Sequence, residues 1–278
     1  MDNPIEGWII RGLLGGVTIY WKVSGYMHPP GELVVTPYRI ENRRVDPGHK
    51  PFGAGVRYMP CIGRPVNVER RGAGVEVDPS HILKLRLGDL KVARPHIVEL
   101  LEILNPEWAG LTGSWAIFQE SKHSDVDLLA YQGDGWDIYK ALEDLKDEGL
   151  VTHCPGRYHA NVKRIHGHQL LDACYKGQRY TLRILETIEA RECTGYTVPH
   201  GWIHARITIE EPLAPHRVPA LYRATIEGMG RVVLETWHTR YQEIAPAIYV
   251  ARIHLFYTPN GVRASPDLGG WIKACTAP

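Results

Sequence analysis

Turn residues cut this chain into short lengths, and that limits what it can build. Toward the C-terminus "GWIHARITIEEP", "YRATIEG", "GRVVLETWHTRYQE" and "AIYVARIHLFYTPNG" are alternating or apolar runs separated by glycine and proline. Several short strands at that spacing predict a small barrel or a sandwich. The first ninety or so residues have the same texture. "GVTIYWKVSGY" and "GELVVTPYRI" are rich in Val, Ile, Thr and Tyr and read as strands, with a Pro/Gly turn, "MHPPG", between them. "RVDPGHKPFGAGVRYMPCIGRP" cannot continue a helix and reads as an irregular surface loop, and "HILKLRLGD" as a further strand.

The texture changes near residue 92. "RPHIVELLEILN" has a helical distribution of apolar residues, with Pro95 suited to a first turn. "EWAGLTG" then predicts a short strand, "SWAIFQES" a helical turn and "DVDLLAYQ" a second strand. "GWDIYKALEDLKDEG" reads as an amphipathic helix, with Ile138, Leu142 and Leu145 on one side and Gly149 as its stop. "NVKRIHGHQLLDACYKG" reads as partly helical, and "RYTLRILETI" returns to strand. The predicted architecture is therefore α+β. A mainly β domain over 1–92 precedes a central α/β unit over 93–190, a mixed sheet with helices, and a barrel-like β domain over 191–278.

Lys+Arg 32 against Asp+Glu 31 leave a net charge of +1, so any contact with nucleic acid or membrane needs a local basic patch. The N-terminus lacks a signal-peptide pattern and no apolar run reaches membrane-spanning length, so a cytoplasmic protein with no membrane partner is expected. The cysteines at 61, 154, 174, 193 and 275 are odd in number and form no CxxC pair. That argues against a disulfide framework and a zinc knuckle and suits a reducing compartment.

One stretch carries the pattern of a reactive site: "LTGSWAIFQESKHSDVDLLAYQG", residues 111–133. A strand ending in Gly113-Ser114 and opening into a helical turn exposes backbone N–H groups and a hydroxyl to an anion. Glycine is needed where a phosphate must approach the backbone closely. Asp125 and Asp127, alternate residues of the next strand, project to one side. Two carboxylates sharing a site repel unless a cation neutralises them, and Mg²⁺, which takes oxygen ligands and substrate phosphates, suits that task.

Gly113-Ser114 followed by Ser124-Asp125-Val126-Asp127-Leu128 resembles the signature of the DNA-polymerase-β-like nucleotidyltransferase superfamily. There a Gly-Ser motif precedes an Asp-x-Asp pair by about this distance, and helices such as 95–105 and 135–147 flank the pair. "VSGYMHPPGELVVTPYR" is similar to segments of uncharacterised archaeal predicted nucleotidyltransferases. The resemblance covers the middle third, one motif of the first third, and the C-terminal region only loosely. It implies a nucleotidyltransferase-type α/β core that binds a nucleoside triphosphate (NTP) with Mg²⁺ or Mn²⁺. A nucleoside monophosphate would pass to a hydroxyl of an unknown acceptor, RNA being one candidate. Gly113, Ser114 and Ser124 would hold the nucleotide, and Asp125 and Asp127 would be catalytic metal ligands.

The chain departs from that pattern twice. Phe118 stands where many members carry a small residue or glycine. The superfamily also places a third carboxylate on a later strand, here 179–186. Tyr180, Leu182 and Ile184 should face the core, leaving Thr181, Arg183 and Leu185 toward the site, and none of these is acidic. Glu186 is the nearest acid for the metal, and Arg183 stands on the face that should carry it. Arg183 then either contacts a nucleotide phosphate or pairs with the aspartates in place of a metal. The latter would make the chain a non-catalytic nucleotide- or RNA-binding protein.

Elsewhere, His153, His159, His166, His168, His200 and His204 lack partners at zinc-ligand spacing and read as polar surface residues. Arg157, Lys163, Arg164, Lys176, Arg179 and Arg183, interleaved with Tyr158, Tyr175 and Tyr180, read first as a solvated face and second as a triphosphate or RNA contact. Trp202, Trp237 and Trp271 read as core.

Overall fold

The fold is that of a computed structural model, described for residues 4–45, 56–154, 165, 169–267 and 269–275. Of the segment 44–65 read as a loop, 46–55 lie outside them while Val56–Met59 form a strand, and His159, His166, His168, Arg157, Tyr158, Lys163 and Arg164 also lie outside them.

Eight strands come first: β1 (Ile9–Leu14), β2 (Val17–Val23), β3 (Met27–His28), β4 (Glu32–Ile40), β5 (Arg43–Arg44), β6 (Val56–Met59), β7 (Arg64–Arg70) and β8 (Val75–Val77). All but β3 join one antiparallel sheet ordered β6-β7-β4-β2-β1-β8, with β5 beside β4. Alternation drives it: Ile19, Trp21 and Val23 of β2 are buried while their neighbours are not.

Next come α1 (Pro79–Ala93), α2 (Pro95–Leu104), β9 (Trp108–Thr112), α3 (Gly113–Ala116), β10 (Val126–Tyr131), α4 (Trp136–Asp147), β11 (Val151–Thr152), β12 (Asp172–Tyr175) and β13 (Gln178–Leu185). The strand expected in "HILKLRLGD" is helix α1. Its Leu-Lys-Leu-Arg-Leu alternation imitates a strand, but Asp78 caps the Ser80 N–H at 2.8 Å with Pro79 in the first turn, and Ile82, Arg86 and Leu90 form a buried helical stripe. The helix expected within 161–177 is instead, over 172–175, one arm of the β12–β13 hairpin, turned by Lys176 and Gly177 at φ 45° and 79°. The central sheet runs β11-β12-β13-β10-β9, with β10 and β13 parallel.

The last strands are β14 (Arg191–Glu192), β15 (Val198–Ala214), β16 (Arg217–Val218), β17 (Ala220–Ile226), β18 (Gly230–Thr236), β19 (Ala247–Thr258), β20 (Gly261–Ser265) and β21 (Trp271–Ala274). β14 pairs with β3, and β16 extends the central sheet beside β13. β15, β17, β18, β20 and β19 close into a five-strand barrel through the β15–β19 pairing, with β21 outside on β19. Ile207, Tyr222, Leu234 and Ile253 are among the residues that fill it.

The expectation of an α+β molecule built on a nucleotidyltransferase-type α/β core is overturned. Strands take 49% of the described residues against 18% for helices, which number four, so the molecule is mainly β. The physical reason lies in what covers the central sheet. Helices pack on one face only, over Val126, Leu128, Tyr180 and Leu182. The other face, with Leu129 and Leu185, packs on Ile5, Trp8, Trp21 and Leu33 of the N-terminal region. No helix of the described residues is long and apolar enough to cross a membrane.

The cysteine reading is also corrected. Cys61 pairs with Cys193 (Cα–Cα 5.6 Å) and Cys154 with Cys174 (5.3 Å), leaving Cys275 free. The first pair is 132 residues apart in sequence, so only tertiary folding brings it together.

Buried charges tie the parts together. The Arg183 guanidinium pairs with Glu6, whose side chain is 3% exposed and also accepts the Gly25 N–H at 2.6 Å. Glu243 accepts from Leu170 N (2.8 Å), Leu171 N (3.2 Å) and the Tyr139 hydroxyl (3.2 Å), and burial pushes its carboxyl above the usual range. Asp267 accepts from Arg64, Thr236 and the Trp237 N–H. Removing one partner of a buried pair strands the other charge. Arg183→Ala is therefore expected to lower unfolding free energy by about 3–5 kcal/mol, with recovery in Glu6→Gln/Arg183→Met. Urea denaturation checks it, and an unchanged midpoint in Arg183→Ala would refute the bracing role.

Candidate functional site

Asp127 lies in β10 between Thr112 of β9 and Thr181 of β13, on the face turned to the N-terminal sheet. Thr112 fixes that face by donating its hydroxyl to the Gly7 carbonyl at 2.5 Å. Asp125 sits just before β10, and the Thr181 hydroxyl donates to its Oδ2 at 3.2 Å. The two carboxylates thus share one side of the sheet, as strand alternation requires.

Gly113 opens α3 at φ +69°, and a Cβ there would overlap Asp127 Oδ2 and stand 2.7 Å from its Cγ. The space that the sequence reading reserves for a phosphate is occupied by the Asp127 carboxylate. Glycine is required all the same, because both the left-handed backbone and the carboxylate exclude a side chain. Ser114, 5% exposed, lies buried beside it.

Two groups from outside the motif complete the site. Tyr38 of β4 has its phenol raised by burial and then by the negative charge of Asp127, with Arg39 and Arg44 pulling it back. The Arg39 guanidinium lies 5.5 Å from the Tyr38 ring centroid and donates to the Asn42 carbonyl at 3.1 Å. Asn42 Oδ1 in turn accepts from Gln119 at 3.0 Å, so the β4–β5 hairpin is joined to the chain after α3. Tyr38 thus lies within reach of both the Asp127 carboxylate and the Arg39 and Arg44 charges.

Arg86 of α1 braces the turn itself. Buried, it donates to the Trp115 carbonyl at 3.1 Å and pairs with Asp89 and Glu120 at 2.7 and 2.5 Å. Its guanidinium lies over Trp115 and over Phe118, 4.5 Å from the latter's centroid. Phe118 adopts φ 57°, a conformation glycine takes without strain. Arg86 thus lies against a ring whose backbone takes this left-handed conformation. The signal for Arg86 was present in sequence as a cation within the stripe Ile82–Arg86–Leu90, but only once that segment is read as a helix.

The remaining candidates go elsewhere. The Ser124 hydroxyl accepts the Ser121 N–H at 2.9 Å and closes a turn. Arg183 is engaged by Glu6 of the N-terminal segment. Glu186 is exposed and lies five positions beyond Thr181, roughly 16 Å along the strand, with its N–H donating to the Tyr26 hydroxyl at 3.1 Å. The structure does not bring it to Asp125 and Asp127. The place beside them on β13 belongs to Thr181, and among the described residues no three His, Cys, Asp or Glu side chains converge. Comparison with family models, curated proteins and solved structures finds no match to the chain.

Gly113→Ala is expected to destabilise the fold by more than the ~1–2 kcal/mol of a left-handed alanine, because Asp127 must also move. The double variant Gly113→Ala/Asp127→Gly keeps the backbone strain at residue 113 but should regain the part due to overlap. Chemical denaturation of both variants measures it; equal stability of the two would remove the steric account.

Proposed function

We propose that the chain binds a nucleoside triphosphate at Asp125 and Asp127 and transfers its nucleoside monophosphate to a hydroxyl acceptor. The observation that carries this reading is the placement of Asp127 against Gly113 and of Asp125 against Thr181. Two carboxylates are thereby fixed on one side of the sheet, with Tyr38 between Asp127 and the Arg39 and Arg44 charges that act on it. The likeness of the Gly-Ser and Asp-x-Asp spacing to the nucleotidyltransferase signature supports it further.

The donor set suits a hard divalent cation: two carboxylates and a neutral hydroxyl, all oxygen. Asp125 and Asp127 would hold Mg²⁺ or Mn²⁺, which supplies charge neutralisation for the triphosphate. With two acids rather than three, phosphate oxygens must complete the shell, so cation and nucleotide bind together. The chain's own groups orient the reactants: Thr181 fixes Asp125, Gly113 admits Asp127, and Arg39 and Arg44 favour the anionic β- and γ-phosphates. The acceptor oxygen bonds to the α-phosphorus as the bond to the bridging oxygen breaks. Pyrophosphate leaves, and the hydroxyl proton passes to solvent.

A second reading rests on Thr181. With a hydroxyl where a third acid would stand, the site binds nucleotide without transferring it. Two measurements decide between them. Incubation with α-³²P-labelled NTPs should label the protein or an added hydroxyl acceptor, and Asp127→Asn should abolish labelling. Equal labelling by both proteins would overturn the transfer reading.

Replacing Thr181 by Asp places a third carboxylate beside Asp127. Mn²⁺ affinity, followed by EPR, should rise roughly tenfold, about 1.4 kcal/mol. An unchanged affinity would mean that the pair does not hold the cation.

A further inference from the structure

The outer wall of the barrel carries a surface that neither core packing nor the carboxylate site explains. β15 and β19 pair Trp202 with His254, His204 with Arg252 and Arg206 with Val250, and β21 sets Trp271 beside Arg252 and Lys273 beside Val250. The alternate residues Ile207, Tyr249, Ala251 and Ile253 fill the barrel, so the first set points outward. Trp202 and Trp271, expected in the core, are therefore on the wall, with Trp202 39% exposed, while Trp237 packs against the N-terminal core.

Each outward indole has a cation on it. The Arg252 guanidinium lies 4.8 Å from the Trp202 ring and Lys273 Nζ 4.6 Å from the Trp271 ring. His254 meets Trp202 edge-on at 5.4 Å, and His204 lies 5.8 Å from Trp271. None of residues 198–209, 247–258 or 271–274 is acidic, in a chain whose net charge is only +1, and the first acid on the outward row of β15, Glu210, pairs with Arg231 at 3.7 Å. The two indoles stand two strands apart, roughly 10 Å, with Arg252 between them.

We propose that this face binds single-stranded nucleic acid, with Trp202 and Trp271 stacking on bases and Arg206, Arg252 and Lys273 meeting phosphates. Unpaired bases offer π-faces to an indole, whereas a duplex offers its flank only phosphates. A membrane surface would need aliphatic area to bury, and Ile248 and Val250 are the aliphatic side chains that the outward rows provide. The assignment does not rest on nucleotidyl transfer.

The test is fluorescence anisotropy of the full chain with 5′-fluorescein U15 at low salt. Wild type binds, and affinity falls with rising salt. Trp202→Ala, an exposed change, weakens binding about fivefold to a hundredfold. Arg206→Ala/Lys273→Ala lowers the slope of log K against log salt by about 1.4, or about 0.7 for each phosphate no longer neutralised. Asp127→Asn binds U15 like wild type, which separates this surface from the carboxylate site. The proposal is overturned if wild type does not bind U15, or if Trp202→Ala, shown folded by circular dichroism, binds equally well. It also fails if a 15-base-pair duplex or phosphatidylserine vesicles compete as well as unlabelled U15.

Discussion

The pairing of Arg183 with Glu6 is the interaction on which the arrangement of the molecule turns. Glu6 is almost wholly withdrawn from water, and an unpaired carboxylate there would be untenable. Arg183 and the Gly25 N–H satisfy it, and in doing so they fix the N-terminal segment on the open face of the central sheet. Ile5 and Trp8 then cover Leu129 and Leu185, and Gly7 receives the Thr112 hydroxyl. Glu243 and Asp267 repeat the device where the barrel meets the central sheet and the N-terminal sheet. Such buried groups add little net stability but penalise other packings of the same parts.

That arrangement decides the chemistry open to Asp125 and Asp127. While Arg183 is engaged by Glu6, the Thr181 hydroxyl reaches Asp125 from the same strand. The N-terminal sheet, once docked, brings Tyr38 within reach of the Asp127 charge. On the opposite face of the sheet, Arg86 holds the turn after Gly113 through Trp115, Phe118 and Glu120. The site is thus assembled by two layers, a strained turn braced by a helix and a carboxylate pair flanked by a sheet.

The barrel distributes charge differently. Its interior is apolar, and its outward rows over 202–208 of β15, on β19 and on β21 collect cations and indoles, with Glu210 and Glu211 at the far end of β15. In a chain with nearly balanced charge, such segregation gives one face a local positive field that composition conceals.

Local pattern made α2, α4, β10 and the five-strand barrel region legible, because their periodicities and stops lie within a dozen residues. It also exposed Gly113, Asp125 and Asp127, whose spacing along one turn and one strand is set by backbone geometry alone. α1 was misread because Leu-Lys-Leu-Arg-Leu satisfies a period of two, and only the Asp78 cap and the stripe through Arg86 select the helix. The α/β architecture fails for a different reason: what covers the second face of the central sheet is the sheet of the N-terminal region, distant in sequence from Leu129 and Leu185. Tyr38, the partner of Arg183 and the Cys61–Cys193 pair likewise depend on segments distant in sequence. The sequence by itself determined which residues could form a strand, a turn or a carboxylate pair, because those follow from neighbours along the chain. Only the tertiary structure decided which charge meets which, because that depends on the burial created when distant segments pack.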